Sequence, residues 1–291
     1  MPETGTIPHV VGAARGEGTT HYRRSGKCPT AASTILLLHG LGMQNTVWQP
    51  QIDILSKDFD VVSFDMMGHG QSSLPPEKPA LSDYADQVLS VMDGLGIASA
   101  HLVGHSMGAL ISLEFALAHP DRVRSVAPLN GVYCRPPHLQ QTAEGRAREL
   151  EANGGITPPD ETLKRWFGHP VPPELAEPAE ICRRFLTSVN PVGYTRTYRL
   201  FVENHRRHEG RLQNLAVPAL FMTSENDPHS TPEMSQAMAK AAPDSRCIIV
   251  PKERHMMTLT APAEVTRHII SFVREIEARS SREPIKTETV Q

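Results

Sequence analysis

Two textures alternate along the chain. In the first, short and mainly apolar runs end in turn residues: Thr34–Leu38 (TILLL), Phe59–Phe64 (FDVVSF), Ala100–Val103, Val123–Leu129, Ala219–Met222 and Cys247–Val250. Runs of this kind suit strands covered on both faces, because neither side can afford polar residues. In the second, apolar residues recur every three or four positions, which predicts amphipathic helices. Leu81–Leu95 carries Tyr84, Val88, Leu89, Met92 and Leu95 on one side, with Pro79 and Ser82 as start signals. Met107–Ala118, Pro232–Ala242 and Pro262–Glu277 read likewise, and Trp48–Leu55 offers one short helix. Strands alternating with helices define an α/β class, a doubly wound and mostly parallel sheet. Residues 1–20 are Gly-, Pro- and Thr-rich, and His21–Gly26 reads as a strand end and turn.

The rhythm stops between residues 132 and 212. Pro136-Pro137, Gly154-Gly155, Pro158-Pro159 and Pro172-Pro173 punctuate this stretch, with helix-compatible pieces at Gln141–Glu151, Asp160–Phe167, Glu180–Leu186 and Gly193–Glu209. An inserted helical cap over 132–212 is expected, with the core formed by 1–131 and 213–291. The last dozen residues, rich in Ser, Glu, Lys and Thr, are expected to fray.

Composition narrows the function classes. A formal charge of −3 supplies no basic field for nucleic acid. No apolar run is long enough to cross a bilayer, and the N-terminus lacks an apolar signal core, so a cytoplasmic protein is expected. Cys28, Cys134, Cys182 and Cys247 lack metal-type spacing and read as free thiols. Neither a G-x-G-x-x-G entering a helix nor a P-loop occurs, so neither a metal nor an organic cofactor is implied. The expected partner is a small-molecule substrate; homo-oligomerisation is left open.

Candidate chemistry concentrates at Gly104-His105-Ser106-Met107-Gly108, between a strand and a helix. This is a G-x-S-x-G elbow, whose central Ser is held exposed in a sharp turn while the flanking glycines let strand and helix pass closely. A serine hydroxyl needs a base, and the base an orienting carboxylate. In a sheet of this kind the chain order is Ser, acid, His, each after a strand. Ser106, Asp227 and His255 satisfy it, with Glu225 the nearest rival carboxylate and a turn-shaping role the bland alternative for Asp227. Backbone amides of Leu41 and Met107 are the expected oxyanion donors. Asn130 ends the strand before the insertion and reads as a loop-joining hydrogen-bond residue. His39 reads as a packing fixture, His105 as structural, and the loop Asp65–Ser72 as a frame for the site entrance. Met43, Met66, Met67, Met107, Met256 and Met257 offer either a soft apolar lining or core filling. In the insertion, Arg196 and Arg199 among aromatics, together with Trp166 and Met43, are candidate substrate contacts; most cap arginines read as solvated.

The motifs LLLHGLG at 36–42, FDMMGHGQS at 64–72, VGHSMG at 103–108, ENDPHSTP at 225–232 and RHMMTL at 254–259 resemble those of the α/β-hydrolase superfamily, over about Tyr22 to Val273. The resemblance implies that nucleophile, acid and base are Ser106, Asp227 and His255, with oxyanion amides at Leu41 and Met107. The chain looks like the bacterial capped serine hydrolases: carboxylesterases, enol-lactonases, amide-cleaving enzymes and carbon–carbon bond hydrolases. Serine at the elbow departs from the haloalkane dehalogenases, and Arg254-His255-Met256 departs from the Gly-His-Trp usual in the carbon–carbon group. The expected activity is hydrolysis of a small carboxylic ester or lactone through an acyl-enzyme; the alternative is a carbon–carbon or amide bond in a carboxylate-bearing catabolic intermediate.

Overall fold

A computed structural model describes residues 2–11, 16–26, 33–155 and 158–280. The strands are β1 (Glu3–Val11), β2 (Gly16–Gly26), β3 (Thr34–Leu38), β4 (Asp60–Phe64), β5 (Ala100–His105), β6 (Val123–Leu129), β7 (Ala219–Ser224) and β8 (Ser245–Val250). They form one sheet in the order β1-β2-β4-β3-β5-β6-β7-β8. From β4 to β8 every pairing is parallel, and β2 joins antiparallel to both β4 and β1. The principal helices are α1 (Gln49–Leu55), α2 (Leu81–Gly94), α3 (Met107–Ala118), α4 (Pro137–Ala152), α5 (Asp160–Phe167), α6 (Ala176–Ser188), α7 (Pro191–Glu203), α8 (Pro232–Ala241), α9 (Met257–Thr260) and α10 (Pro262–Ser280).

The unbroken apolar run of β3 follows from burial on both faces. Ile35 and Leu37 pack with Ile52 and Leu55 of α1 and with Val265, Ile269 and Phe272 of α10. Leu36 and Leu38 point the other way, into a cluster with Val88 and Met92 of α2, Leu110 and Leu113 of α3, and Met238 of α8. Successive side chains on a strand face opposite sides, so two helical layers demand apolar residues at every position.

Before β3, the described residues add two strands that the composition of residues 1–20 does not mark: β1 and β2 pair antiparallel, and His21–Gly26, read as a strand end and turn, lies inside β2. Ile7 and Tyr22 join the α2-side core. The alternation that places them there is diluted by Gly, Thr and Pro8, and an edge strand tolerates such residues.

Between β6 and β7 the described residues contain helices and turns and no strand. Two attachments hold this stretch to the sheet layers. At α7, a Cβ on Gly193 would lie 2.4 Å from Gly68 Cα. There too the Tyr84 hydroxyl meets Thr197 Oγ1 at 2.7 Å, and Arg196 Nη1 donates to the Pro75 carbonyl at 2.7 Å. Beyond α7, which stops at Glu203 and not at Glu209, Arg207 and Arg211 each approach the buried Glu114 of α3 at 2.7 Å, and His208 approaches it at 3.3 Å. The fraying expected of the last dozen residues falls on 281–291, outside the described residues, apart from the end of α10.

Candidate active site

At the end of β5 the backbone of Ser106 takes φ 56° and ψ −110°, a left-handed conformation costly for a residue with a side chain. The turn is tight enough to exclude a β-carbon at either flanking glycine. On Gly104 it would stand 2.1 Å from the Gly108 carbonyl oxygen, and on Gly108 it would stand 2.2 Å from that of Leu38. Ser106 N donates to the Leu129 carbonyl at 2.8 Å, fixing the elbow against β6. The serine lines a cavity of about 210 Å³, whose wall also includes Leu41, Trp166, His229 and His255.

Behind His255 lies Asp227, brought from the loop after β7. His255 Nδ1 donates to Asp227 Oδ2 at 2.7 Å, and Asn130 Nδ2 donates to the same oxygen at 2.8 Å. Oδ1 accepts the amides of His229 and Ser230 at 2.8 and 3.2 Å. Burial alone would raise this carboxyl, yet the His255 ring and the convergent donors outweigh it and bring Asp227 down to about 2. The charged acceptor fixes the His255 tautomer, with the proton on Nδ1 and a lone pair on Nε2. Glu225, the rival acid, instead accepts the Lys252 amide at 2.7 Å from an exposed position. His105 Nε2 donates to the His255 carbonyl at 2.9 Å and so ties the His255 loop to the elbow.

A hydrogen-bonded scaffold shapes the loop after β3. His39 Nδ1 donates to the Gly40 carbonyl at 2.8 Å while its Nε2 accepts the Met66 amide at 3.0 Å. His69 donates to the Met67 carbonyl and accepts the Gly42 amide, the latter at 3.0 Å. Burial keeps both rings neutral, lowering His39 to about 4 and His69 to about 3. Asp65 accepts both the amide and the side-chain Nδ2 of Asn45 at 2.7 Å. The loop Asp65–Ser72 therefore clamps Gly40-Leu41-Gly42, and a Cβ on Gly40 would lie only 3.2 Å from Ser106 Cβ. Leu41 lies beside the serine, and Met107 follows it as the first residue of α3 with its side chain fully buried.

Of the other candidate contacts, the structure brings only Trp166 to the cavity, its ring 5.5 Å from that of His255. Arg196 and Arg199 are elsewhere. Arg196 is held on Pro75, Arg199 pairs with Glu151 at 2.7 Å, and both line a separate groove beside Glu77 and Lys78. Met43 is buried among Trp48 and Met256, and none of the six methionines expected as lining or core is part of the cavity wall; all fill the core.

The arginines that do reach the cavity are Arg135, Arg146 and Arg165. None of the three forms an ion pair with a carboxylate among the described residues. Arg135 is 5% exposed, lies over the Phe201 ring at 4.6 Å, and is pushed down to about 10 by burial. Arg165 is lowered by burial and then by Arg146, and its Nε has no hydrogen-bond partner. Nothing in the sequence pattern distinguishes these arginines, or His229, as cavity residues. Arg146 and Arg165 sit on helical pieces rich in charge, where position along a helix does not reveal which basic side chain turns inward.

Among the described residues no helix is long and apolar enough to cross a membrane, and no group of three or more His, Cys, Asp and Glu converges as a metal site. Cys134, Cys182 and Cys247 are free thiols, and Cys28 lies outside the described residues.

A strained serine on a β5–α3 elbow, facing a cavity shared with a carboxylate-bound histidine, is the arrangement of one fold family. The chain belongs to the α/β-hydrolase superfamily: a family model for the alpha/beta hydrolase fold matches residues 33–153. Over 249 residues, 86% of this chain and 92% of the relative, it is 36% identical to (E)-2-((N-methylformamido)methylene)succinate hydrolase of Acinetobacter baylyi. It is also 26% identical to 3-oxoadipate enol-lactonase 1 of the same organism, covering 86% of this chain and 91% of that one. Among solved structures, the enol-lactonase from Burkholderia xenovorans superposes with a TM-score of 0.79 at 26% identity, covering 92% of this chain and 99% of that chain. The chain is accordingly a hydrolase with bacterial hydrolase relatives.

Proposed function

We propose that this hydrolase uses Ser106 as nucleophile to open an acyl bond in a small, carboxylate-bearing molecule. His255 Nε2 takes the Ser106 proton as Oγ attacks the carbonyl carbon, and Asp227 holds the imidazole and stabilises the imidazolium that forms. The amides of Leu41 and Met107 receive the developing oxyanion. His255 then protonates the departing nitrogen or oxygen, and water releases the acyl group from Ser106 by the same path in reverse. The helices between β6 and β7 act as the cap that closes the cavity.

The observation that carries the substrate class is the set of three guanidinium groups on the cavity wall without carboxylate partners. Arg135 is buried and Arg146 and Arg165 are half-buried; a cation withdrawn from water without a counter-charge is costly, so an anion completes the site. The Acinetobacter baylyi relative is named for a succinate carrying a methylformamido group, a dicarboxylate with an amide. This favours the carboxylate-bearing amide, the alternative expected from the sequence, or an anionic enol ester, over a carboxylic ester or lactone that carries no charge.

The test is a hydrolysis panel of neutral p-nitrophenyl esters, carboxylate-bearing esters, lactones, enamides and a ring-fission dienoate. Anionic acyl compounds are expected to lead it. Arg146→Ala and Arg165→Ala should each lower kcat/KM for them by roughly 10- to 100-fold, the worth of one hydrogen bond to a charged group, with neutral esters little affected. Arg196→Ala should leave both unchanged. Equal loss on neutral and anionic substrates would remove the arginines from substrate binding.

A further inference from the structure

His229 is a polar side chain of the cavity wall for which the steps above have no use. It follows Asp227 by two residues, and its amide donates to Asp227 Oδ1 at 2.8 Å, which fixes where the residue sits. Its ring stands edge-on to that of His255, with centroids 5.6 Å apart and planes at 89°. On another side of His255 lies the Trp166 ring, tilted by 31° and apolar on its face. No group among the described residues hydrogen-bonds either ring nitrogen of His229, although the ring reaches the cavity. Burial, followed by the neighbouring His255, keeps it neutral and lowers it to about 3. A neutral imidazole has one N–H to give and one lone pair to offer. Both are unclaimed beside the base.

We propose that His229 positions the hydrolytic water for deacylation, accepting one of its hydrogens while His255 accepts the other. This rests on the reading of Ser106 and His255 as nucleophile and base. A water poised to attack must have its lone pair aimed at the acyl carbon, which is best fixed when both hydrogens are engaged. Two hydrogen bonds of about 2.8 Å meeting at one oxygen bridge nitrogens roughly 4.5 to 5.5 Å apart, a separation that rings with centroids 5.6 Å apart admit. In the step itself, the water oxygen bonds to the acyl carbon and passes a proton to His255 Nε2. The C–Oγ bond then breaks, and Ser106 Oγ recovers that proton, leaving His229 unchanged. Attack by Ser106 on a substrate with a leaving group that needs no proton does not involve this water.

That difference gives the test. Wild type, His229→Leu and His229→Gln are compared with p-nitrophenyl acetate by rapid mixing, together with the rate of Ser106 labelling by a fluorophosphonate. For His229→Leu the burst rate and the labelling rate are expected to stay within about twofold of wild type. The steady-state rate should fall roughly tenfold or more, the worth of a hydrogen bond, with acetyl-enzyme accumulating in the intact mass. His229→Gln, which keeps a donor and an acceptor, should recover most of the steady-state rate. Parallel loss of burst, labelling and turnover would show that His229 merely supports His255 or the fold, and an unchanged steady-state rate would show that it holds no water; either overturns the proposal. Absence of labelling and of any burst in the wild type would bring down the hydrolase reading itself.

Discussion

Asp227 keeps its charge in a buried place because four donors converge on two oxygens: His255 and Asn130 on one, the His229 and Ser230 amides on the other. Asn130 deserves its place in that set for a conformational reason, since its own backbone has φ 48°, a region asparagine enters more readily than most residues. Asp227→Asn would leave the shape nearly intact while removing the charge and putting an amide nitrogen where an acceptor is required. The His255 ring would then lose the bond that keeps its proton on Nδ1. A fall in kcat of about 10⁴-fold is expected, with the thermal midpoint displaced far less, measured on any substrate the wild type turns over. An Asp227→Asn variant retaining near-full activity would transfer the acid role elsewhere.

At the scale of elements, the stretch between β6 and β7 is anchored unevenly. The α7 helix lies backbone against backbone on the Gly68 turn, and the segment after it is pinned to Glu114 of α3. Glu114 is buried, and its charge is maintained against burial by the nearby His208 ring and by hydrogen bonds from Arg207 and Arg211, which hold it far below the usual carboxylate range. Glu114→Gln should lower stability by about 1–3 kcal/mol, a value kept below that of a fully buried pair because Arg207 and Arg211 are 44% and 36% exposed. Urea unfolding gives the stability, and because Glu114 lies on α3, kcat should be preserved if the elbow is undisturbed. The legibility of the sequence divides along the same line. The β3, β5 and β6 strands and the α3 helix were readable because burial on two sides leaves few residue types that fit, and the elbow glycines because a β-carbon has nowhere to go. The antiparallel β1–β2 pair is hidden by Gly, Thr and Pro at an edge that tolerates them. Arg196 and Arg199 were placed at the site by their aromatic company, yet Arg199 lies on the outer side of α7 with Glu151 and Arg196 reaches back to Pro75. Which way a long basic side chain turns depends on tertiary neighbours that helical spacing does not encode.

For the molecule as a whole, the hydrogen-bonded scaffold that shapes the cavity is also an acid liability. Burial lowers His39 to about 4, and His69, His101, His105 and His229 each to about 3, from an ordinary value of 6.5. Above that ordinary value both folded and unfolded chains carry these rings neutral, so their contribution is fully present. As pH falls below 6.5 the unfolded chain takes up protons that the folded chain refuses, and stability drops by up to about 1.4 kcal/mol per pH unit for each ring. The loss continues until the pH reaches the folded values, between about 4 and 3. Asp227 acts in the same direction over a lower window: its folded value of about 2 lies below the ordinary 3.8, so its contribution is lost as pH passes from 3.8 towards 2. Urea midpoints should therefore be nearly flat from pH 8 to 7 and fall steeply from 6 to 5, well above the carboxylate range. Replacing His101, whose Nδ1 meets Ser125 Oγ at 2.7 Å remote from the cavity, with Gln should reduce that slope by about one proton without altering kcat. A midpoint that holds level down to pH 5 would mean that the buried rings take up protons as readily in the folded chain as in the unfolded one.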